Sequence, residues 1–519
     1  MNQTPPNPAR RRLLNATGMA ALAAASGRLL AQTTPRPLLI VSSWEISGLS
    51  PAASGYIFTR LQVTETLLGS RDDGTPEPAL AGRWQVSADG LEWRFELRPG
   101  ARFHDGSPVS AQAVLHSLER VRTPPGLLAT VPIRSMDAPD GKTLRIRLRS
   151  PFVLLGSVLA HSSTMILAPA SFDAKGTVRE VIGSGPYRVA KLEAPHQVET
   201  RVSEYYDSPR PAIGAVRYMA AGRAETRALM AESGQADLAW NLDPASITRL
   251  RSRNAVGISS VTLPRTLAVS LNAGIPGLSD VRVRRALSLS IDRAGISRAL
   301  LREQDLAATQ LMPPTLAGWH EPSLPPLTRD PATAARLMRE AGWTASPAGW
   351  RDAKGQLLEL RLQTFPDRPE LPVLAAALQA QWREAGFAVK VSIGNSGDIP
   401  LAHRDGSLQM GLAARNYAML PDPTGTLAQD FAPNGGDWGP AGWSSPIVSD
   451  ALQKLLRGGL TPDEQRAERR RILLALQQEL PVIPVCWVRA HVAVNRRLEG
   501  VRLDPLERSF RLTEMRWKA

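Results

Sequence analysis

His104 and Asp105 stand side by side in "RFHDGSPVSAQAVLHSLERVR". A carboxylate that orients an imidazole is half of a nucleophile-activating relay, and such a relay needs a serine, cysteine or threonine held against the ring. No nucleophile motif accompanies the pair: the chain has no GxSxG elbow and no GxGxxG dinucleotide fingerprint. "GSGPY" (183–187) reads as a glycine turn. The seven histidines are dispersed, with no paired metal-ligand spacing such as HExxH. The single cysteine, Cys486 in "PVIPVCWV", excludes a disulfide framework and a cysteine-only metal cluster, and its apolar neighbours predict a buried thiol.

The elements around His104 explain the pair without catalysis. Gly100 and Gly106 bracket "ARFHDG" with turn-forming backbone. Ser110 stands at a helix N-cap, and Val114, Leu118 and Val121 follow on one helical face. His104 and Asp105 are therefore expected to end a strand and open a turn. "LEWRFELR" alternates with period two, with Leu91, Trp93, Phe95 and Leu97 inward, and is predicted to form a hairpin with the strand near Trp84–Val86. "TLRIRLRS" repeats the pattern with Leu144, Ile146 and Leu148 inward and Arg145, Arg147 and Arg149 on a solvated face. Asp280 is a predicted N-cap for a helix striped by Val283, Leu287 and Ile291. In "RDPATAARLMREAGW" Asp330 caps, Pro331 opens and Gly342 closes a helix. A strand at "LLELRLQTF", a helix stopped by Gly386 and another strand follow, so helices and strands alternate as in α/β proteins. The proline-rich "LMPPTLAGWHEPSLPPLTRD" is expected to be a long loop over that half.

At 519 residues the chain is long enough for several domains, and 43% hydrophobic with 21% charged residues is ordinary globular composition. The formal charge of +14 falls to +10 without the first 31 residues, which carry Arg10, Arg11, Arg12 and Arg28 and no acid. The remaining arginines lie scattered in alternating patterns, which argues against nucleic acid and leaves a membrane surface or an anionic ligand as the partner of the excess. "RRRLLNATGMAALAAASGRLLAQ" has the charged, apolar and small-residue regions of an export signal. The order Arg10-Arg11-x-Leu13-Leu14 resembles a twin-arginine signal, with a Sec signal bearing an extra arginine as the alternative. No later run reaches the ~18 apolar residues of a membrane span. No cysteine stands near the cleavage point to carry a lipid. A soluble periplasmic protein is expected, not lipid-anchored.

Four segments, "RWQVSADGLEWRFELRPGARFHDGSPVSAQAV", "GSGPYRV", "LSDVRVRRALSLSIDRAGI" and "RDPATAARLMREAGW", resemble in that order the extracellular solute-binding proteins of family 5, the peptide and nickel receptors of ABC importers. The resemblance spans nearly all of the chain after the signal. It implies a two-lobed α/β periplasmic-binding-protein fold with mixed sheets, an extra subdomain in lobe I and a hinged cleft. Applied here, residues 1–31 would be the signal, 32–265 lobe I with its inserted subdomain, 266–479 lobe II, and 480–519 the return to lobe I. It also implies a monomer that captures ligand in the cleft and docks on an inner-membrane permease, with no cofactor and no resident metal.

For the ligand, the resemblance points to "GLAARNYAMLPDPTGTL" (411–427). Aligned on Asp422-Pro423, Met419 occupies the place where dipeptide receptors carry the aspartate that pairs with the peptide's ammonium group. Arg415 and Tyr417 match an arginine and an aromatic of the nickel receptors' chelate pocket. A guanidinium there would fork a carboxylate and an aromatic would wall the pocket. Ser162, next to His161, stands where those receptors carry a carboxylate-gripping arginine, and their metal-contacting histidine has no counterpart in "FAPNGGDWGPAGW". The candidate ligand contacts are Arg415, Tyr417, His161, Ser162 and Trp438, with Trp443 as a possible cap and Asp422 read as a turn-former. The leading function is a periplasmic receptor for peptides or peptide-like solutes. The alternatives are a nickel or metal-chelate receptor, a twin-arginine-exported redox enzyme, and a periplasmic scaffold that clasps peptides without transport.

Overall fold

The computed structural model describes residues 36–518 except 124–125, 367, 369, 432–435 and 437. The predicted export signal lies outside the described residues.

Two long strands organise the molecule. Val256–Leu271 and Val482–Asn495 run antiparallel along nearly their whole length, from Val256 opposite Asn495 to Ser270 opposite Val482. On one side of this pair the sheet continues through Leu238–Ala239, Leu38–Ser42, Ala215–Ala220, Gln197–Val202 and Tyr187–Glu193. On the other it continues through Met410–Asn416, Glu359–Thr364 and Ala388–Ile393. Ten strands thus form one mixed sheet shared by two lobes.

The ladder of the long pair is interrupted at two places. Its register shifts between Thr262 and Thr266, and again between Leu267 and Ala268. Pro264 lies in the first gap and Pro484 beside the second, and proline has no amide to donate to a ladder. The freed Pro264 carbonyl accepts from the Tyr417 amide at 2.8 Å, and Arg489 reaches Thr262 Oγ1 at 3.3 Å.

The cores divide accordingly. Leu38, Ile40, Phe58, Tyr187, Tyr218, Phe510 and Met515 belong to one cluster, which the C-terminal tail completes. Leu271, Leu287, Met338, Leu362, Trp382 and Cys486 belong to another. Cys486 is fully buried, and burial pushes its thiol up to about 12. The loop through Leu311, Met312, Leu316, Trp319 and Leu324 has no helix or strand and covers a third cluster, built on the helices Pro423–Phe431, Pro446–Arg457 and Pro462–Glu479.

A separate four-stranded antiparallel sheet, Ala81–Val86, Glu92–Leu97, Thr143–Leu148 and Ile133–Asp137, packs with its own core against the helix Ala111–Val121. Its hairpin has the predicted partners, Trp84 opposite Phe95 and Val86 opposite Trp93. Phe95, Leu144 and Ile146 are sealed inside. The outward arginines do more than meet water: Arg145 pairs with Asp137 at 2.8 Å and Arg147 with Glu92 at 2.9 Å across neighbouring strands. Such exposed pairs add little stability, but they disfavour slipped registers. The caps fall where expected, with Ser110 accepting from Ala113 N, Asp280 from Arg282 N and Asp330 from Thr333 N. No helix among the described residues is long and apolar enough to cross a membrane.

Candidate functional site

Between the lobes lies a cavity of about 870 Å³, within the range that encloses small organic ligands. One wall is the helix Pro51–Arg60 with the segment after it, one is the C-terminal stretch from Asp504 to Glu514, and a third is built from Arg265, Asn416, Ala418, Met419 and Pro421.

Glycines bring these walls together. Gly55, inside the first helix, lies so close to the backbone at Ser162 that a Cβ would sit 2.4 Å from its carbonyl oxygen. This contact presents His161 and Ser162 to the cavity. "GSGPY" packs just as tightly behind the Gln62–Thr64 wall, where Gly185 N donates to the Val63 carbonyl at 3.0 Å. His104 completes the support: its amide donates to Gly183 O and its Nε2 to Gly185 O, both at 2.9 Å. Asp105 meanwhile accepts from the Ser107 amide and hydroxyl. The His-Asp pair is a brace and a turn, as the sequence pattern implied.

At the other wall Asp504 accepts from the amides of Leu506, Arg508 and Ser509 and so shapes the tail into a tight turn. Three non-glycine residues of the lining, Gln62, Glu507 and Arg511, have φ of 54°, 56° and 55°. That left-handed backbone costs about 1–2 kcal/mol per residue, and its concentration around one cavity marks the place where the chain accepts strain.

The sequence candidates separate. His161 and Ser162 line the cavity; Arg415, Tyr417 and Trp438 do not. Arg415 is spent on Asp430, donating from Nε at 2.7 Å and Nη2 at 2.6 Å to a carboxylate almost wholly buried. Its Nη1 lies 3.4 Å from the Met419 sulfur, so it stands one residue behind the wall. Tyr417 is 1% exposed in the core of the second lobe. Trp438 meets Phe365 edge-on at 6.0 Å, and Trp443 packs against Phe431 and donates to Glu479 at 2.8 Å. Asp422 accepts from Thr424 N at 2.7 Å, a turn-former as expected. Sequence reasoning missed Arg60, Arg265, Glu507, Arg508 and Arg511. Nothing in their spacing joins residues more than 200 positions apart.

His161 has a defined protonation state. Its Nδ1 accepts from the Ser163 amide at 3.1 Å and from the Ser163 hydroxyl at 2.8 Å, so the neutral ring carries its proton on Nε2. Burial lowers its pKa to about 4. In this arrangement Nε2 is the ring's donor, and a metal at Nε2 would require an Nδ1 proton facing an amide hydrogen. No group of three or more His, Cys, Asp or Glu suited to hold a metal occurs among the described residues.

The same burial predicts an acid sensitivity. Burial also takes His104 to about 4, against the lesser pull of its bond to Gly185. In the unfolded chain both rings take up a proton near pH 6.5, and in the fold only near 4. Their contribution to stability is complete above pH 6.5 and is lost as pH falls through that window, on the order of 3 kcal/mol for each ring. Urea midpoints measured from pH 7 to 4 should fall, and His104→Asn should flatten the slope. An unchanged slope would place the acid sensitivity elsewhere.

The model of the bacterial extracellular solute-binding proteins, family 5 Middle, matches residues 75–438. The nickel-binding periplasmic protein of Escherichia coli K12 is 26% identical over 493 residues, 90% of this chain and 92% of that protein. A glutathione-binding protein from the same strain is 25% identical over 449 residues, 82% of this chain and 83% of that protein. Among solved structures, NikA from Brucella suis in complex with Fe(III)-EDTA superposes with a TM-score of 0.84 at 22% identity, covering 93% of this chain and all of that one. A dipeptide-binding protein from Pseudoalteromonas sp. SM9913 in complex with Met-Leu gives 0.77 at 19%, covering 93% and 100%.

Proposed function

The chain belongs to the family 5 bacterial extracellular solute-binding proteins, and from that premise we propose that it is the periplasmic receptor of an ABC importer for peptides or peptide-like solutes. The observation that carries the reading is the 870 Å³ cavity walled by both lobes, which are joined through strands whose ladder breaks at Pro264. A solute that touches both walls favours the closed arrangement by its contacts to each, which is a population shift. The interrupted ladder near residue 265 is the natural hinge, with a lobe boundary there and a return near 480. The receptor acts outside the inner membrane as a monomer, hands its solute to the permease unchanged, and reaches its compartment through the twin-arginine-like leader. His161 and Ser162 contact the ligand. Arg415 and Tyr417 support the wall from behind.

A metal held inside an organic chelator is the second reading, favoured by the nickel-binding relative. Bare-metal capture by His161 is disfavoured, because its Nδ1 faces a donor. Gentle purification from the native periplasm, followed by native mass spectrometry and metal analysis, separates the two. A ladder of peptide masses without metal is expected. A stoichiometric metal–organic adduct would overturn the leading reading, and a guest released chemically altered would overturn both.

A further inference from the structure

Six carboxylates and five arginines line the cavity, and one of those arginines stands apart from the rest. Every lining carboxylate has a guanidinium within ion-pair distance, with Arg98 and Arg502 reaching in from outside the lining and Arg98 shared with Asp207. Glu65 pairs with Arg98 at 2.9 Å and Glu77 with Arg71 at 3.8 Å. Asp72 pairs with Arg508 at 2.7 Å and Arg511 at 2.5 Å, and Asp504 with Arg508 at 2.7 Å. Glu507 pairs with Arg265 at 3.0 Å and Glu514 with Arg502 at 3.5 Å. Of the arginines lining the cavity, only Arg60 lacks a carboxylate partner among the described residues.

Arg60 is the last residue of the helix Pro51–Arg60 and is 9% exposed. Its Nε donates to the Glu507 carbonyl at 2.6 Å. Its guanidinium lies 3.9 Å above the Trp44 ring and 5.3 Å from that of Tyr56. Nη1 is buried with no hydrogen-bond partner. A buried donor left unmade is costly, and more so on a charged group, so the site gains when an acceptor arrives. Aromatic stacking fixes the plane of the fork, and a fixed guanidinium matches the two oxygens of a carboxylate. Each lining acid already has an arginine beside it, and His161 offers a neutral donor.

We propose that Arg60 is the ligand-reading cation of the cleft and that the receptor selects net-anionic solutes through a free carboxylate docked on its Nη edge. This rests on the cavity being the ligand site. It moves the carboxylate-binding role from Arg415, which Asp430 occupies, to a residue of the opposite lobe.

The test is titration of ligand-free protein, followed by thermal shift and calorimetry, with ferric EDTA, glutathione and citrate as anions and Met-Leu and Lys-Lys as neutral and cationic probes. At least one anion should bind tenfold or more tighter than either peptide. Arg60→Gln should weaken that anion at least tenfold, and Arg60→Lys, which keeps the charge and loses the fork, should fall between. Ser162→Asp, which adds a carboxylate to the cavity without touching Arg60, should weaken it as well, so a misfolded Arg60 variant leaves the proposal exposed to refutation. If Met-Leu or Lys-Lys binds best, or if Arg60→Gln and Ser162→Asp leave the anion's affinity unchanged, the Arg60 proposal falls and the receptor reading stands. If no solute of any charge binds and none co-purifies with the native protein, both fall.

Discussion

Asp430→Ala is expected to cost about 3–5 kcal/mol of folding stability, because it strands the Arg415 guanidinium among buried groups. Both ends of the pair are nearly closed to water, with side-chain exposures of 12% and 2%. Arg415 stands on the strand Met410–Asn416 and Asp430 on the helix Pro423–Phe431, so the fork ties that helix to the sheet. Replacing both partners with apolar residues of similar size, Arg415→Met with Asp430→Leu, should recover most of the loss, since the cost lies in the unpaired charge rather than in the absent bond. Urea unfolding of the single and double variants measures this directly. A single variant within ~0.5 kcal/mol of the parent would mean that Arg415 is free to serve a ligand instead.

Gly185→Ala should be nearly as damaging, by about 3 kcal/mol, the upper range for forcing atoms into a filled site. Its Cβ would sit 2.2 Å from the Gln62 carbonyl oxygen, and a Cβ at Gly183 would sit 2.1 Å from that of Val63. Backbone cannot swing aside as a flexible side chain does, so the Gln62–Thr64 wall would have to move. Ligand affinity should therefore fall together with the melting temperature. Gly55→Ala gives a sharper contrast. Alanine gains about 1 kcal/mol of helix propensity over glycine, yet its Cβ would meet the Ser162 carbonyl at 2.4 Å. Packing should win, and the variant should melt lower. A higher melting point would show that Ser162 is not held against this helix.

Much of the fold is written in short-range patterns. The alternation of "LEWRFELR" and "TLRIRLRS" chose the buried face of the small sheet, because a strand's side chains alternate with period two. Ser110, Asp280 and Asp330 announced helix starts, since a side-chain oxygen is the nearest partner for a free first-turn amide. His104 and Asp105 were legible as a turn for the same local reason. Cys486 was legible as core from its apolar neighbours alone.

The site was much less legible, and the obstacle was distance along the chain. Ser162, with His161 beside it, was chosen by position in a matching segment, and one contiguous stretch carries both to the cavity wall. Arg415 and Tyr417 were chosen by position in a matching segment, but position along a strand does not say which neighbour already holds a side chain. Asp430 claims Arg415, and an apolar core claims Tyr417. The unpaired charge of Arg60 is a property of the assembled wall. It exists because Arg265, 242 residues before Glu507, takes that carboxylate, and because the tail returns Asp504, Arg508 and Arg511 to the first lobe already balanced against Asp72. Local sequence thus determined the elements and their caps, whose physics acts within a few residues. The balance of charge around the cleft was decided only by tertiary structure, because Coulomb pairing is settled by which groups the fold finally brings within about 4 Å.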